Sequence, residues 1–240
     1  MTIEVLDYHG SDNAIANAAR VSFAGNGDWN SVPEGYSEER RDKLVVYLAK
    51  HRHLTPFRHT SVTIRCKEPI FIARQLGKHQ AGLSWNEVSR RYVKGGVEFH
   101  IPKEWRSAPD GSIKQGSGEV FTGKLQTVVG RPYYGEYLAD EDCTAHELYE
   151  DLLDVALETY NRMINAGVAP EQARMILPQS MMTEWVWTGN ILALAHIYRE
   201  RIASGAQVEA QEFAKKLDAA IAPLFPVSWT ALTKPNSIKN

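Results

Sequence analysis

Between Arg74 and Tyr92 the sequence RQLGKHQAGLSWNEVSRRY crowds cations, amides, a carboxylate and hydroxyls into one short stretch. That set suits a nucleotide monophosphate, whose phosphate needs guanidinium forks and backbone N–H groups and whose sugar and base need amides or carboxylates. Ser89, Arg90 and Arg91 supply the first group and Gln75 and Glu87 the second. A solvated, charged loop after an amphipathic helix has the same composition, so the stretch by itself leaves both readings open.

Two other stretches carry chemistry-bearing residues. HRHLTPFRH, His51 to His59, holds three histidines, yet no HExxH or cysteine-bearing pattern accompanies them. A metal therefore ranks below cofactor contact or plain surface histidine, and none is expected. Further on, EQARMILPQSMMTEWVWTGNILALAHIYRERI places Arg174, Asn190, His196 and Arg201 around a strand and a helix. Read one at a time, Arg174 is equally a surface helix residue, Asn190 a helix cap and His196 a satisfied core histidine. Trp185 and Trp187 read as core strand residues.

Taken together, the three stretches resemble the flavin-dependent thymidylate synthases, whose signature is RHRxxxxxxxS followed by a further arginine and tyrosine. Lys78, His79, Gln80 and Ser89 occupy the signature positions, with Asn86, Glu87, Arg91 and Tyr92 around them. Two arginines are replaced, by Lys78 and Gln80, and eight residues rather than seven separate Gln80 from Ser89. Lys78 keeps a cation without the planar fork, and Gln80 keeps donors without charge. His53, Thr55 and His59 match the family's upstream segment, with Arg58 where a glutamate is common. The third stretch resembles the family's Ala-Arg before apolar-Leu-Pro, its aromatic-Thr-x-Asn and its final helical arginine.

The resemblance implies reductive methylation of dUMP to dTMP, with FAD as cofactor, NADPH as reductant and methylenetetrahydrofolate as carbon donor, in a homotetramer with shared active sites. It implies that dUMP meets Gln75, Lys78, Glu87, Ser89, Arg90, Arg91, Arg174 and Arg201, and that FAD meets His53, Thr55, Lys78, His79, Gln80, Asn86, Glu87, Asn190 and His196. Arg201 is the implied catalytic residue, favouring the ionised pyrimidine. No cysteine suits nucleophilic attack at uracil C6: Cys66 falls in an alternating strand, and Cys143 sits beside Glu141 and Asp142, which disfavour a thiolate. Two alternatives stand: a hydroxymethylase of the same family acting on dUMP, and a nucleotide-binding relative without catalysis.

Periodicity reveals the helices and strands around these residues. Ser37 to Lys50 reads as an amphipathic helix, and Val62, Ile64 and Cys66 alternate as a strand ended by Pro69. Pro69 to His79 reads as a second helix that hands over to a polar loop, and a strand is expected around Val97 to Ile101. Residues 107–135, rich in Gly, Ser, Pro and Gln, are expected to form a long surface excursion. Thr144 and Glu147 make a capping box for a long helix to Gly167 whose stripe includes Leu148, Leu152 and Val155. Pro170 to Leu177 reads as a short helix, Met181 to Trp187 as a strand, and Asn190 to Ala203 and Gln207 to Ile221 as helices. The mixture without a βαβ repeat predicts an α+β, irregular α/β fold, a mixed sheet flanked by helices, in a single domain over residues 1–240.

Composition bounds the rest. Of 240 residues 43% are hydrophobic and 23% charged, enough for a sizeable core. Twenty-seven Lys and Arg against 29 Asp and Glu give a net charge of -2, which argues against a nucleic-acid surface, so the expected partners are small molecules. Two unpaired cysteines, no apolar run of membrane length and no signal peptide predict a cytoplasmic protein.

Overall fold

A computed structural model describes residues 1–22, 28–109, 111, 116–131 and 136–234. In chain order the elements are β1 (Thr2–His9), α1 (Asp12–Arg20), α2 (Glu38–Lys50), β2 (Ser61–Pro69), α3 (Ile70–Leu76), β3 (Leu83–Glu87), β4 (Leu125–Arg131), β5 (Glu136–Cys143), α4 (Ala145–Asn165), α5 (Pro170–Ala173), β6 (Met182–Gly189), α6 (Ile191–Ile202), α7 (Val208–Ile221) and α8 (Pro226–Thr233). The architecture is α+β. The described residues fall into two compact units, one of residues 1–68, 72–87 and 183–234, the other of residues 69–71 and 88–182.

The first unit is built on a four-stranded sheet in the order β1-β2-β6-β3. β2 alternates as expected, burying Val62, Ile64 and Cys66 completely. Trp185 and Trp187 of β6 are each 1% exposed, and Trp85 of β3 stacks on Trp185 at 4.3 Å between ring centroids. A fully buried aliphatic side chain such as Val62 or Ile64 contributes about 1.5–3 kcal/mol. The expected polar loop after α3 is instead an edge strand, because Leu83 and Trp85 alternate with exposed Ser84 and Asn86 and pair with Gly189 and Trp187.

Helices cover this sheet, with α6 packed on α7 and α8. Asp12 at the start of α1 accepts from the Val227 N–H (3.0 Å), the Ser228 N–H (2.9 Å) and the Ser228 hydroxyl, so one buried carboxylate caps α8 from across the unit. At the end of β2, Glu68 is fully buried and neither carboxylate oxygen is hydrogen-bonded among the described residues. Burial pushes its carboxyl up from 4.5 to about 7; the Lys216 ammonium 3.6 Å away and the chain's amino terminus oppose this, and Glu212 adds to it.

A pKa raised on folding favours the protonated form, so the Glu68 contribution is full below about pH 4.5 and is lost as pH rises through 7. It is on the order of 3 kcal/mol. Urea unfolding of Glu68→Gln at a series of pH values is expected to show a flatter stability curve across that window. An unchanged slope would remove Glu68 as its source.

In the second unit the capping box forms as expected: Glu147 N–H donates to Thr144 Oγ1 at 3.2 Å, and Thr144 N–H donates to Glu147 Oε2 at 2.8 Å. Gly167, at φ +87°, ends α4 in the left-handed conformation that favours glycine. The stripe differs from expectation: α4 buries Leu153 and Tyr160, while Leu152 and Val155 are 58% and 65% exposed. The strand expected at Val97 to Ile101 is a single bridge from Phe99 to Met181, since Gly95 and Gly96 precede it and Pro102, which has no N–H, follows. Part of the 107–135 stretch lies outside the described residues; within it β4 pairs antiparallel with β5, an element its composition did not announce.

Candidate active site

The first unit carries a cleft of about 410 Å³ at the start of α6, lined by Leu54, Arg58, Ala81, Gly82, Asn190, Leu192, Ala193, His196 and Arg199. Thr60 assembles it. Its buried hydroxyl donates to Phe57 O (2.9 Å) and accepts from the Ile191 N–H (3.2 Å), tying the 51–59 stretch to the first turn of α6. Phe57, fully buried, anchors the same short 3₁₀ segment, Thr55–His59.

Asn190 is the helix cap that one reading of the sequence gave: its Oδ1 accepts from the Ala193 N–H at 2.9 Å. The same orientation turns Nδ2 toward Gly82, where a Cβ would lie 2.7 Å from it. Gly82, at φ +75°, thus serves both a backbone conformation and a close approach that other residues resist. Capping and lining the cleft are compatible roles for one amide. His196 is exposed at the cleft wall rather than a core histidine.

At the far end of α6, Arg201 meets His79, three residues past the end of α3. Its Nη2 lies 2.9 Å from His79 Nε2, and the His79 and His196 rings meet edge to face at 5.7 Å. A guanidinium only donates, so His79 accepts through Nε2 and its proton sits on Nδ1. Burial lowers the His79 pKa, and the charges of Arg201 and His196 lower it further against an opposing Glu200. The ring is therefore held neutral, which is the form that can accept. Arg201 Nε is buried with no hydrogen-bond partner among the described residues. A buried cationic donor left open in this way is costly unless a ligand's acceptor completes it.

The remaining candidates separate into engaged and open groups. Gln75 donates to Gln207 at 2.7 Å, and Glu87 accepts from Thr183 Oγ1 at 2.7 Å and from Trp85 Nε1 at 3.3 Å. Lys78, Gln80 and Asn86 are exposed, as are His53 and Thr55 beside the cleft residue Leu54. Ser89, Arg90, Arg91 and Arg174 belong to the second unit. There Arg90 clamps its own loop, donating to Gly95 O at 2.6 Å and Gly96 O at 2.9 Å. Arg91 is exposed beside Ser89 Oγ, and Arg174 donates to Glu171 O at 3.3 Å from an exposed position. Burial pushes the Cys66 thiol far up, so it is not a nucleophile.

The sequence reading missed Thr60, Gly82 and Arg199. For Arg199 a signal existed, because Leu192, His196 and Arg199 follow the i, i+4, i+7 spacing of one helix face. Thr60 had none, since its work is a contact across 131 positions of the chain.

The family model described as thymidylate synthase complementing protein matches residues 4–227. A flavin-dependent thymidylate synthase of Kosmotoga olearia is 33% identical over 231 residues, covering 95% of this chain and 88% of its own length. Another, from Rickettsia bellii, is 34% identical over 95% of this chain and 74% of its own. Among solved structures, a UMP/dUMP methylase from Streptomyces cacaoi bound with 5-Br dUMP aligns at a TM-score of 0.75 and 31% identity, covering 97% of this chain and 94% of that one. The chain therefore belongs to the thymidylate synthase complementing protein family, that of the flavin-dependent thymidylate synthases.

Proposed function

We propose that this protein is a flavin-dependent thymidylate synthase, converting dUMP to dTMP with methylenetetrahydrofolate as carbon donor and NADPH as reductant through bound FAD. The observation that carries the reading is the Arg201–His79 pair, whose buried guanidinium keeps an open Nε donor in the first unit. The cleft fits a flavin ligand: Gly82 leaves room that a Cβ would fill, Asn190 presents Nδ2, and Leu54, Ala81 and Leu192 give apolar walls. When bound, FAD supplies the redox chemistry.

The chain's own residues bind, orient and stabilise. Arg201 is assigned to the pyrimidine, where its Nε donates to oxygen bearing the negative charge that makes C5 nucleophilic. Neutral His79 fixes the guanidinium plane and adds no competing charge. Asn190 and His196, with His53, Thr55, Lys78, Gln80 and Asn86 around them, are assigned to FAD, and His79 borders both ligands. Gln75 and Glu87 are assigned to dUMP, and Glu87 to FAD as well, each oriented by the hydrogen bond it makes in the free protein. Ser89, Arg91 and Arg174 are assigned to dUMP, with Arg90 shaping their loop. No cysteine nucleophile is required.

A single family match running across both units supports their working as one domain. Exposed Leu152 and Val155 on α4 support assembly into a homotetramer with shared sites. No helix of the described residues is long and apolar enough to cross a membrane, and the proposed site of action is the cytosol.

The test is turnover of purified protein with dUMP, methylenetetrahydrofolate and NADPH. A yellow protein that NADPH bleaches and a product with the mass of dTMP are expected. Hydroxymethyl-dUMP would instead support the hydroxymethylase, and a colourless protein that takes up no FAD would support the non-catalytic relative.

A further inference from the structure

The cleft at the start of α6 has an uneven charge. Arg58 enters it from the 3₁₀ segment and Arg199 from α6, and no aspartate or glutamate lines it. Among the described residues neither guanidinium makes an ion pair or hydrogen bond, whereas Arg41 and Arg65 in the same unit pair with Asp42 and with Glu4 and Glu184. The backbone offers an anion little there. The Ile191 N–H is given to Thr60 and the Ala193 N–H to Asn190, so two of the first three helix donors are taken. The permanently cationic groups that an anion meets in this cleft are the two arginines. Leu54, Ala81, Leu192 and Ala193 give the wall an apolar part that suits a planar ring system, beside Asn190 and His196.

We propose that Arg58 and Arg199 form the phosphoryl-binding end of this cleft, taking the diphosphate of the flavin dinucleotide between two guanidinium forks. Guanidinium matches phosphate oxygens bidentately, and two cations facing two adjacent phosphoryl groups balance their charge. The assignment rests on the flavin reading above. It makes Arg58 and Arg199 specificity residues, selecting the dinucleotide over the bare isoalloxazine.

The experiment is titration of flavin-free protein with FAD and with riboflavin, which lacks phosphate, at low and high salt, for wild type, Arg58→Gln, Arg199→Gln and the double variant. Both positions are exposed, so the substitutions leave the core intact. The double variant is expected to bind FAD at least tenfold more weakly and with less salt sensitivity, while its riboflavin affinity stays within twofold of wild type. FAD affinity unchanged within twofold in the double variant would overturn the proposal and leave the flavin reading standing. Equal weakening of FAD and riboflavin would also overturn it, since the arginines would then serve the ring or the cleft's shape. Wild-type protein that binds neither flavin would overturn both.

Discussion

Arg201→Ala is expected to lower kcat by about 10²–10³-fold while FAD stays bound, the scale of losing one donor aimed at developing negative charge. The expectation follows from what Arg201 does in the free protein. One η nitrogen is committed to His79, and the buried Nε has no partner until a ligand arrives. Alanine removes charge and donor together. Arg201→Lys should recover little, because an ammonium cannot both reach His79 and present a second donor in a fixed plane. A second readout separates electrostatics from folding: since the Arg201 charge lowers the His79 pKa, its removal should raise that pKa in an NMR titration. Near-normal kcat, or a His79 titration that does not move upward, would refute the assigned role.

Asp12→Ala is expected to destabilise the protein by about 3–5 kcal/mol, combining loss of a helix cap with buried donors left unpaired. Asp12 is 6% exposed and accepts both the Val227 and Ser228 N–H groups and the Ser228 hydroxyl. It also opens α1, whose own cap, Ser11, accepts from Ala14 at 3.2 Å. One carboxylate therefore sits at the N-termini of two helices, where negative charge is favoured. Asp12→Asn keeps acceptor oxygen and should cost less than half as much. Urea unfolding that loses under 1 kcal/mol for the alanine variant, with unchanged dependence on denaturant, would contradict this reading.

The residues that speak locally were legible in the sequence. Thr144 and Glu147 announce a cap within four positions, Val62 to Cys66 announce a strand by alternation, and Asn190 announces the start of α6. Elements whose signal competes with another were not. Leu83 to Glu87 alternates as a strand, but its Ser, Asn and Glu read as binding groups, and both descriptions apply to it. β1, α1 and α8 were not anticipated, and they are held by long-range contacts such as Asp12 to Ser228, which no local pattern encodes. The site follows the same division. Spacing and resemblance brought out Asn190, His196 and Arg201, which cap or lie on α6, and His79, which touches the last two, whereas Thr60 depends on a partner far along the chain. Arg90 shows what residue type leaves out: a guanidinium there suggests phosphate, and in the free protein its donors also close a loop around Gly95 and Gly96.

In the proposed reaction the unit built on β1, β2, β6 and β3 holds a flavin whose reducing power ends in a methyl group on dUMP. Mass analysis of the nucleotide formed in a single turnover, starting from protein reduced by NADPH and mixed with dUMP and methylenetetrahydrofolate, tests it most directly. The expected result is dTMP formed together with return of the yellow colour. Unmodified dUMP from a protein that was reduced and fully loaded would contradict it.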